Sequence, residues 1–276
     1  MSASPNLEGK VAFVTGGAGG FGRAVTEILI EHGASVALTD VDEARTKAAA
    51  DELGAVPFTL DVTDYDANLA TVAAIEDHFG GLDIAFLNAG IGLAWGVTDE
   101  FNLADYRRIM GINLDGVAFG TQAVVPAMRR RGGGHIVATA SMAGLVSMPG
   151  DPYYTMTKAG VVGYVRGAGP ELARENIKLN GLCPGFADTP IIDTMRDKFE
   201  KADFPIISPR TVAETFLRAA TSNESGVNWL IQAGIEPAPF KFRGVPAARK
   251  PDGTPYGVPK DLDPDAEDPH AEGGAK

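Results

Sequence analysis

Residues Lys10 to Gly22 read KVAFVTGGAGGFG. The first six, KVAFVT, form a short apolar run rich in strand formers, and a glycine cluster follows from Gly16 to Gly22. A helical pattern then runs over Ala24 to His32, with Val25, Ile28 and Leu29 on one stripe. A glycine turn between a strand and a helix lets backbone approach a pyrophosphate. The helix N-terminus behind it offers free N–H groups and a partial positive charge. The cluster satisfies three spacings at once: G-x-G-x-x-G through Gly17, Gly19 and Gly22; T-G-x-x-x-G-x-G through Thr15, Gly16, Gly20 and Gly22; and T-G-x-x-G-x-x-G through Gly16, Gly19 and Gly22. The glycines therefore indicate a dinucleotide without naming a subfamily.

Outward from this turn the chain alternates strand and helix about six times. Strands are expected at Ala34–Thr39, Ala55–Leu60, Leu82–Leu87, His135–Ala140, Ile177–Cys183 and Val227–Gln232. That pattern predicts an α/β fold, one doubly wound parallel sheet with helices on both faces. Such sheets bind ligands at the carboxyl ends of their strands, and Asp40, Asp61, Asn88, Ser141 and Pro184 all fall there. A long helical stretch is expected from Asn102 to Arg131, bent or broken near Pro126. Phe186 to Ser208 reads either as a helical flap over an apolar pocket or as a surface helix. A catalytic domain over 1–236 and a Pro-rich arm with an acidic tail over 237–276 are expected, because eight of the 18 prolines lie in that last segment.

The chain has 276 residues, 45% of them apolar, enough for one large core. A net charge of −12 argues against nucleic acid or an anionic membrane as partner. The lone Cys183 excludes an internal disulfide framework and fits a reducing compartment. There is no apolar segment of the ~18 residues that a membrane span needs. The N-terminus lacks the apolar core of a secretory signal, so a cytoplasmic protein is expected. His32, His78, His135 and His270 are too scattered for a metal site, and no metal is expected.

A second stretch, Ser141 to Lys158, reads SMAGLVSMPGDPYYTMTK. Tyr154 and Lys158 are four residues apart and share a helix face. A free tyrosine has a pKa near ~10, too high for a base at neutral pH. A fixed ammonium favours the phenolate and is expected to lower that value. A phenol so tuned can exchange a proton with an alcohol oxygen, to which Ser141 could donate a hydrogen bond. Asp40, eighteen residues past Gly22, could accept hydrogen bonds from the adenosine ribose hydroxyls and repel a 2′-phosphate, so NAD is favoured over NADP. The other reading of Asp40 is a cap on the helix beginning near Asp42.

Together these residues resemble the short-chain dehydrogenase/reductase family over about Gly9 to Gln232: TGGAGGFG, Asp40, Asp61-Val62, Asn88-Ala89-Gly90, Asn113, Ser141, Tyr154-x-x-x-Lys158, and Pro184-Gly185 with Thr189. The resemblance implies a Rossmann-type domain with about seven parallel strands. It makes Tyr154 the acid/base, with Ser141 on the reacting oxygen and Lys158 on the nicotinamide ribose. Asn113 would hold a water in a proton relay. Gly16, Gly20, Phe21 and Gly22 would meet the pyrophosphate, and Asp61 and Val62 the adenine. Asn88 and Gly90 would line the cleft, and Pro184, Gly185 and Thr189 would hold the nicotinamide end. It also implies a homodimer or homotetramer. Two departures stand out. Gly167-Ala168-Gly169-Pro170 is expected to interrupt the Tyr154 helix, where the family builds its dimer interface, and the usual glycine pair after the last strand is reduced to Gly234.

The implied activity is NAD-dependent interconversion of a secondary alcohol and a ketone, on a substrate without strong negative charge. Trp95, Leu145, Met148, Phe186 and Met195 could line its pocket. A dinucleotide-sensing scaffold on the same fold and a nucleotide-sugar epimerase remain as alternatives. A sensor would bind NAD without turnover, and an epimerase would form no net NADH.

Overall fold

The computed structural model describes residues 5–93, 96–244 and 248–256. Among them, eight strands form one sheet: β1 Val11–Thr15, β2 Ser35–Asp40, β3 Val56–Thr59, β4 Ile84–Leu87, β5 Gly134–Thr139, β6 Ile177–Pro184, β7 Asn228–Gln232 and β8 Ile235–Pro239. The order across the sheet is β3-β2-β1-β4-β5-β6-β7-β8. The first seven strands run parallel, as expected of a doubly wound α/β fold. Strand order reverses between β1 and β4, and this switch point opens a crevice at the strands' carboxyl ends.

Side-chain alternation in β1 explains the two-sided core. Val11 and Phe13 face one layer, packed with residues of α3 (Tyr65–Phe79), α5 (Gly116–Arg131) and α6 (Pro152–Ala173). Ala12 and Val14 face the other, packed with α1 (Gly20–Glu31) and α8 (Pro209–Ala220). The remaining helices are α2 (Glu43–Leu53), α4 (Leu103–Met110) and α7 (Arg196–Lys201).

Three expectations from the sequence need correction. The helix expected to bend or break near Pro126 is not broken there; a separate irregularity lies upstream, in a π turn over Gly111–Asp115 between α4 and α5. Pro126 removes one backbone hydrogen bond, but Val124, Val125, Ala127 and Met128 around it are buried, and that packing offsets the cost. The Tyr154 helix is likewise uninterrupted: α6 carries Pro170 in its last turn. Gly169 lies against the Gly226 backbone, where a Cβ would come within 2.3 Å of the amide nitrogen, and the Gly169 carbonyl accepts from Ser225 Oγ at 2.8 Å. Tertiary contact therefore holds the helix together where local propensity would end it.

The third correction is β8. The expected start of the arm, Pro237, lies inside an antiparallel strand that folds back on β7. Gly234, at φ +74°, makes the tight reversal. Pro237 and Pro239 are tolerated because β8 is an edge strand, and they blunt that edge against further pairing. The compact unit that contains the sheet spans Met1–Phe240. A second unit, Lys241–Lys276, contains a small turn in which Lys250 N donates to Thr254 O at 2.7 Å. The acidic tail, Trp95 and His270 lie outside the described residues. No helix among the described residues is long and apolar enough to cross a membrane.

At the opposite edge of the sheet from the crevice, Asp83 is buried between β1 and β4. It accepts from Val11 N at 3.0 Å, Lys10 Nζ at 3.0 Å and Arg131 Nη2 at 2.9 Å. Burial pushes this carboxyl up, but the Arg131, Val11 and Lys10 hydrogen bonds outweigh it and hold it below the usual carboxylate range. Asp83→Ala is expected to cost about 2–3 kcal/mol, read as a lower urea midpoint. Because the folded value is depressed, this contribution is present above the unfolded value of ~3.9 and is lost as pH falls through the folded one. The gap between wild type and variant should therefore close in acid.

Candidate active site

The glycine turn has the shape an anion needs. Gly20 adopts φ +47°, and a Cβ on Gly22 would fall 2.1 Å from the Gly16 carbonyl oxygen. Only glycine fits either position. Gly19 caps α1 with no side-chain hydrogen bond, and the first turn of α1 carries no acid. A helix N-terminus left open in this way can receive a phosphate. Phe21 lies in the same turn, partly buried and packed against the core. Thr189, on the opposite wall, brings its Cγ2 within 3.4 Å of where a Gly20 Cβ would stand. Expected sites for the two ends of a dinucleotide thus close on one cleft.

Asp40 ends β2 and its carboxylate is held by backbone: Oδ2 accepts from Ala18 N at 3.2 Å and Oδ1 from Val41 N at 2.9 Å. It does not cap α2; Asp42 does, accepting from Arg45 N at 3.0 Å. Asp61 turns to Thr63, whose backbone N–H and hydroxyl both donate to its Oδ1. Val62 is buried against Gly116. Gly185, just past Pro184 at the end of β6, closes onto Gln232: a Cβ there would fall 2.2 Å from Gln232 Oε1.

One chain of hydrogen bonds ties the glycine turn to the Tyr154 helix. Asn88 Nδ2 donates to Thr15 O at 3.1 Å and Gly16 O at 3.3 Å. Its Oδ1 accepts from Thr139 Oγ1 at 3.0 Å. The Thr139 carbonyl accepts from Lys158 Nζ at 2.8 Å. Asn88 is thus a strut between β1, β4 and β5. Lys158, only 2% exposed, is locked with its ammonium 5.6 Å from the Tyr154 ring centroid. Gly90 admits it: a Cβ there would lie 3.4 Å from both Lys158 Nζ and Asn113 Oδ1.

The π turn explains Asn113. Widening the helix by one residue turns this side chain inward, a common use of π turns at functional sites. Asn113 Oδ1 accepts from Ile91 N at 2.8 Å, and Nδ2 donates to Ile91 O at 2.9 Å and to Thr157 Oγ1 at 3.2 Å. Asn113 therefore sets the loop after β4 against α6. Asp151 does the same from the other side. It caps α6 by accepting from Tyr154 N at 3.0 Å, and it accepts from Leu93 N at 3.1 Å. Sequence reading passed over Asp151, although Asp-Pro before a helical run is a helix-start signature.

Ser141 is buried, with Oγ accepting from Ala143 N at 3.1 Å, and it hydrogen-bonds the Tyr154 phenol. The expected lowering of the Tyr154 pKa is not what the site does. Burial pushes the phenol up to about 12, against the Ser141 hydrogen bond, and Asp151 pushes the same way. Burial also pulls Lys158 down to about 8, so the ammonium still carries its charge at neutral pH and acts on its neighbours without solvent screening. Burial thus favours the neutral phenol of Tyr154 over its phenolate, and the Lys158 ammonium is the charge that opposes it. Cys183 is fully buried, and burial pushes its thiol up to about 12, leaving it protonated and unreactive.

Two aromatic groups accompany these residues. Tyr153 lies 6.1 Å from Phe101 and 5.8 Å from Tyr106 between ring centroids. Phe186, Phe199 and Phe204 form the second group, with centroids 4.5–5.8 Å apart. The Phe186–Ser208 segment is helical in part, with a 3-10 turn over Pro190–Met195 followed by α7. Its ends are joined by backbone bonds from Ile207 N to Phe186 O and from Asp188 N to Ile207 O.

Comparison with known proteins places the chain in a family. The family model described as short chain dehydrogenase matches residues 10–200. The chain is 32% identical over 235 residues to 3-oxoacyl-[acyl-carrier-protein] reductase FabG of Thermotoga maritima, covering 80% of this chain and 94% of the relative. It is 38% identical over 202 residues to the mouse (Mus musculus) 15-hydroxyprostaglandin dehydrogenase [NAD(+)], covering 69% and 72% of the two chains. The crystal structure of a 3-ketoacyl-(acyl-carrier-protein) reductase from Brucella melitensis complexed with NADH superposes with a TM-score of 0.78 at 28% identity, covering 83% of this chain and 99% of that one. With a glycine turn, a strut and a Tyr154–Lys158 pair joined at one sheet edge, and a family match over most of its length, the chain belongs to the short-chain dehydrogenase family, oxidoreductases that bind nicotinamide dinucleotides.

Proposed function

We propose that this protein is an NAD-dependent oxidoreductase interconverting a neutral, largely apolar secondary alcohol and its ketone. The observation that carries the proposal is the buried set Ser141, Tyr154 and Lys158, wired through Thr139 and Asn88 to the glycine turn. The dinucleotide supplies the hydride acceptor or donor. Everything else falls to the chain. Ser141 and Tyr154 hold the substrate oxygen between two hydrogen bonds. Tyr154 Oη gives its proton to that oxygen in ketone reduction and, as the phenolate, takes the hydroxyl proton in alcohol oxidation. Lys158 stabilises the phenolate formed in reduction. Asn113 positions Ile91 and α6, so that the catalytic face stays against the cleft. Fixing the reacting groups in this way removes much of the entropic barrier.

NAD is favoured because the Asp40 carboxylate stands at the end of β2, free of any capping duty. The NAD(+) in the name of the mouse relative and the NADH in the Brucella structure point the same way. Gly16, Gly20, Phe21 and Gly22 line the pyrophosphate end. Asp61 and Val62 stand by the adenine, Gly90 by the middle of the cleft, and Pro184, Gly185 and Thr189 by the nicotinamide. The substrate class follows from the aromatic groups around Tyr153 and Phe186, and from exposed Ile191 and Met156. Asp151 beside the mouth opposes an anionic substrate. A panel of secondary alcohols with NAD, read as NADH formation, tests the reading. Neutral apolar alcohols should be oxidised, and alcohols bearing a carboxylate close to the carbinol should be poor. Net reduction only by anionic substrates would reverse the assignment of substrate class.

A further inference from the structure

A cavity of about 410 Å³ opens at the amino ends of β1, β4 and β5, at the other end of the strands from the glycine turn. β5 has six residues, so at about 3.3 Å per residue roughly 17 Å separate its two ends. Lys10, Asp83, Arg131 and His135 line the cavity. Asp83 serves two cations, Lys10 Nζ at 3.0 Å and Arg131 Nη2 at 2.9 Å, which leaves one positive charge over. Lys178, paired with His135 in the β5–β6 register, adds a second. The chain as a whole carries −12, so the sign is reversed locally.

Both Lys10 and Arg131 keep donors in hand. An ammonium has three N–H groups and a guanidinium five, and Asp83 takes only one from each. His135 has a buried Nδ1 without a hydrogen-bond partner among the described residues, which is costly to leave unmade. Burial and the charges of Lys178 and Lys10 push the pKa of this ring down, so it is neutral at pH 7. The carbonyls that helix C-termini bring here are already taken. Gly132 O after α5 accepts from Asn176 Nδ2 at 2.8 Å, and Ala219 O in α8 accepts from Asn180 Nδ2 at 3.4 Å. The missing partner is therefore an anion, which uses the spare donors and whose charge lets the imidazole protonate. A phosphate matches a guanidinium and an ammonium side by side. The volume falls in the range of about 300–1,000 Å³ typical of small-molecule pockets, so it holds more than a bare ion.

We propose that this cavity is a second ligand site, for a small organic molecule whose phosphate is held by Lys10 and Arg131 and whose apolar body lies against Leu7, Ile84 and Ala220. It is separate from the dinucleotide cleft and stands whether or not that cleft takes NAD.

Proton NMR of the His135 ring in the full chain, with propyl phosphate as the probe, tests this. The spectrum of His135→Gln identifies which imidazole signal to follow. Propyl phosphate should move that signal saturably and raise the midpoint of its titration by about one pH unit, as a close opposite charge does. Sodium chloride at equal ionic strength should do neither, and butyrate, with a smaller charge than a phosphate, should bind several-fold more weakly. Lys10→Gln should raise the dissociation constant for propyl phosphate about tenfold, the scale of one charge-assisted hydrogen bond. That variant leaves Arg131 and Val11 N on Asp83, so the fold is kept. A wild-type His135 signal that propyl phosphate moves no more than sodium chloride does would overturn the proposal. So would an unchanged dissociation constant in Lys10→Gln, and butyrate binding as tightly as propyl phosphate would overturn the assignment of a phosphate.

Discussion

Tyr154→Phe is expected to lower kcat/KM for the alcohol–ketone reaction by about 10³-fold or more, within the range a positioned acid/base contributes. The substitution removes one oxygen and keeps the ring. Tyr154 N still donates to Asp151, and the carbonyl still accepts from Thr157 Oγ1 at 2.8 Å. What is lost is the hydroxyl that Ser141 bonds. Losing that bond costs about 1 kcal/mol of stability. The variant should therefore remain folded and still bind dinucleotide, since the glycine turn, Asp40 and the Asn88 strut are untouched. Parallel measurement of turnover and of dinucleotide affinity checks this. A large loss in the first with a change of only a few fold in the second is the expected pattern. Equal loss in both would mean that Tyr154 serves binding rather than proton transfer.

Lys158→Met is expected to do two opposite things. Activity should fall by at least about 10²-fold, because the phenolate formed on Tyr154 loses its neighbouring charge. Stability should rise. Burial brings the Lys158 pKa from 10.5 to about 8, so keeping the ammonium inside costs about 3 kcal/mol at neutral pH. The hydrogen bond to Thr139 O returns about 1 kcal/mol of this. A methionine of similar length removes both contributions. The net gain is about 2 kcal/mol, or roughly 5 °C in Tm. The sign of the pH dependence follows from the same shift. Between about 8 and 10 the unfolded chain still holds the proton that the folded chain has lost, so wild-type stability rises with pH across that window. Lys158→Met should show no such rise. Thermal unfolding of both proteins across pH 7 to 10 reads it directly. A variant less stable than wild type at pH 7 would mean that the buried ammonium stabilises the fold.

The fold was legible because its signals are local and repeated. KVAFVT, the glycines after it and the stripe of Val25, Ile28 and Leu29 are one strand–turn–helix unit, and the same alternation recurs along the chain. Where sequence reading erred, long-range packing overrode a local rule. Pro170 looks like a helix breaker until Gly169 is seen against Gly226, more than fifty residues away in sequence. Pro126 drew attention from the true irregularity, the π turn at Gly111–Asp115, which has no local composition signal. There Gly116 lies against Val62 and Gly111 against Thr63, contacts visible only in three dimensions. The β8 strand was hidden by its prolines, whose tolerance depends on being at an edge.

The site was legible in a different way. Asn88, Asn113, Ser141, Tyr154 and Lys158 could be named from spacing and resemblance, and the structure gathers them at one sheet edge. Their electrostatics could not be read from the sequence. A four-residue interval places an ammonium near a phenol, but it says nothing of how much water each has lost. Here desolvation dominates both groups and moves Tyr154 up and Lys158 down. The hydrogen-bonded path through Thr139 and Asn88 joins four separate strands and turns, so no window of sequence contains it.

The central claim is that Tyr154 exchanges a proton with an alcohol oxygen while the carbinol hydrogen leaves as hydride. The most direct measurement supplies neutral secondary alcohols deuterated at the carbinol carbon, with NAD, and follows deuterium into the reduced nicotinamide by NMR. Wild type is expected to deliver the label to one face of the ring, and Tyr154→Phe to deliver almost none in the same time. Label transfer at equal rates in both proteins, or NAD held firmly by wild type with no label transferred from any alcohol, would contradict it.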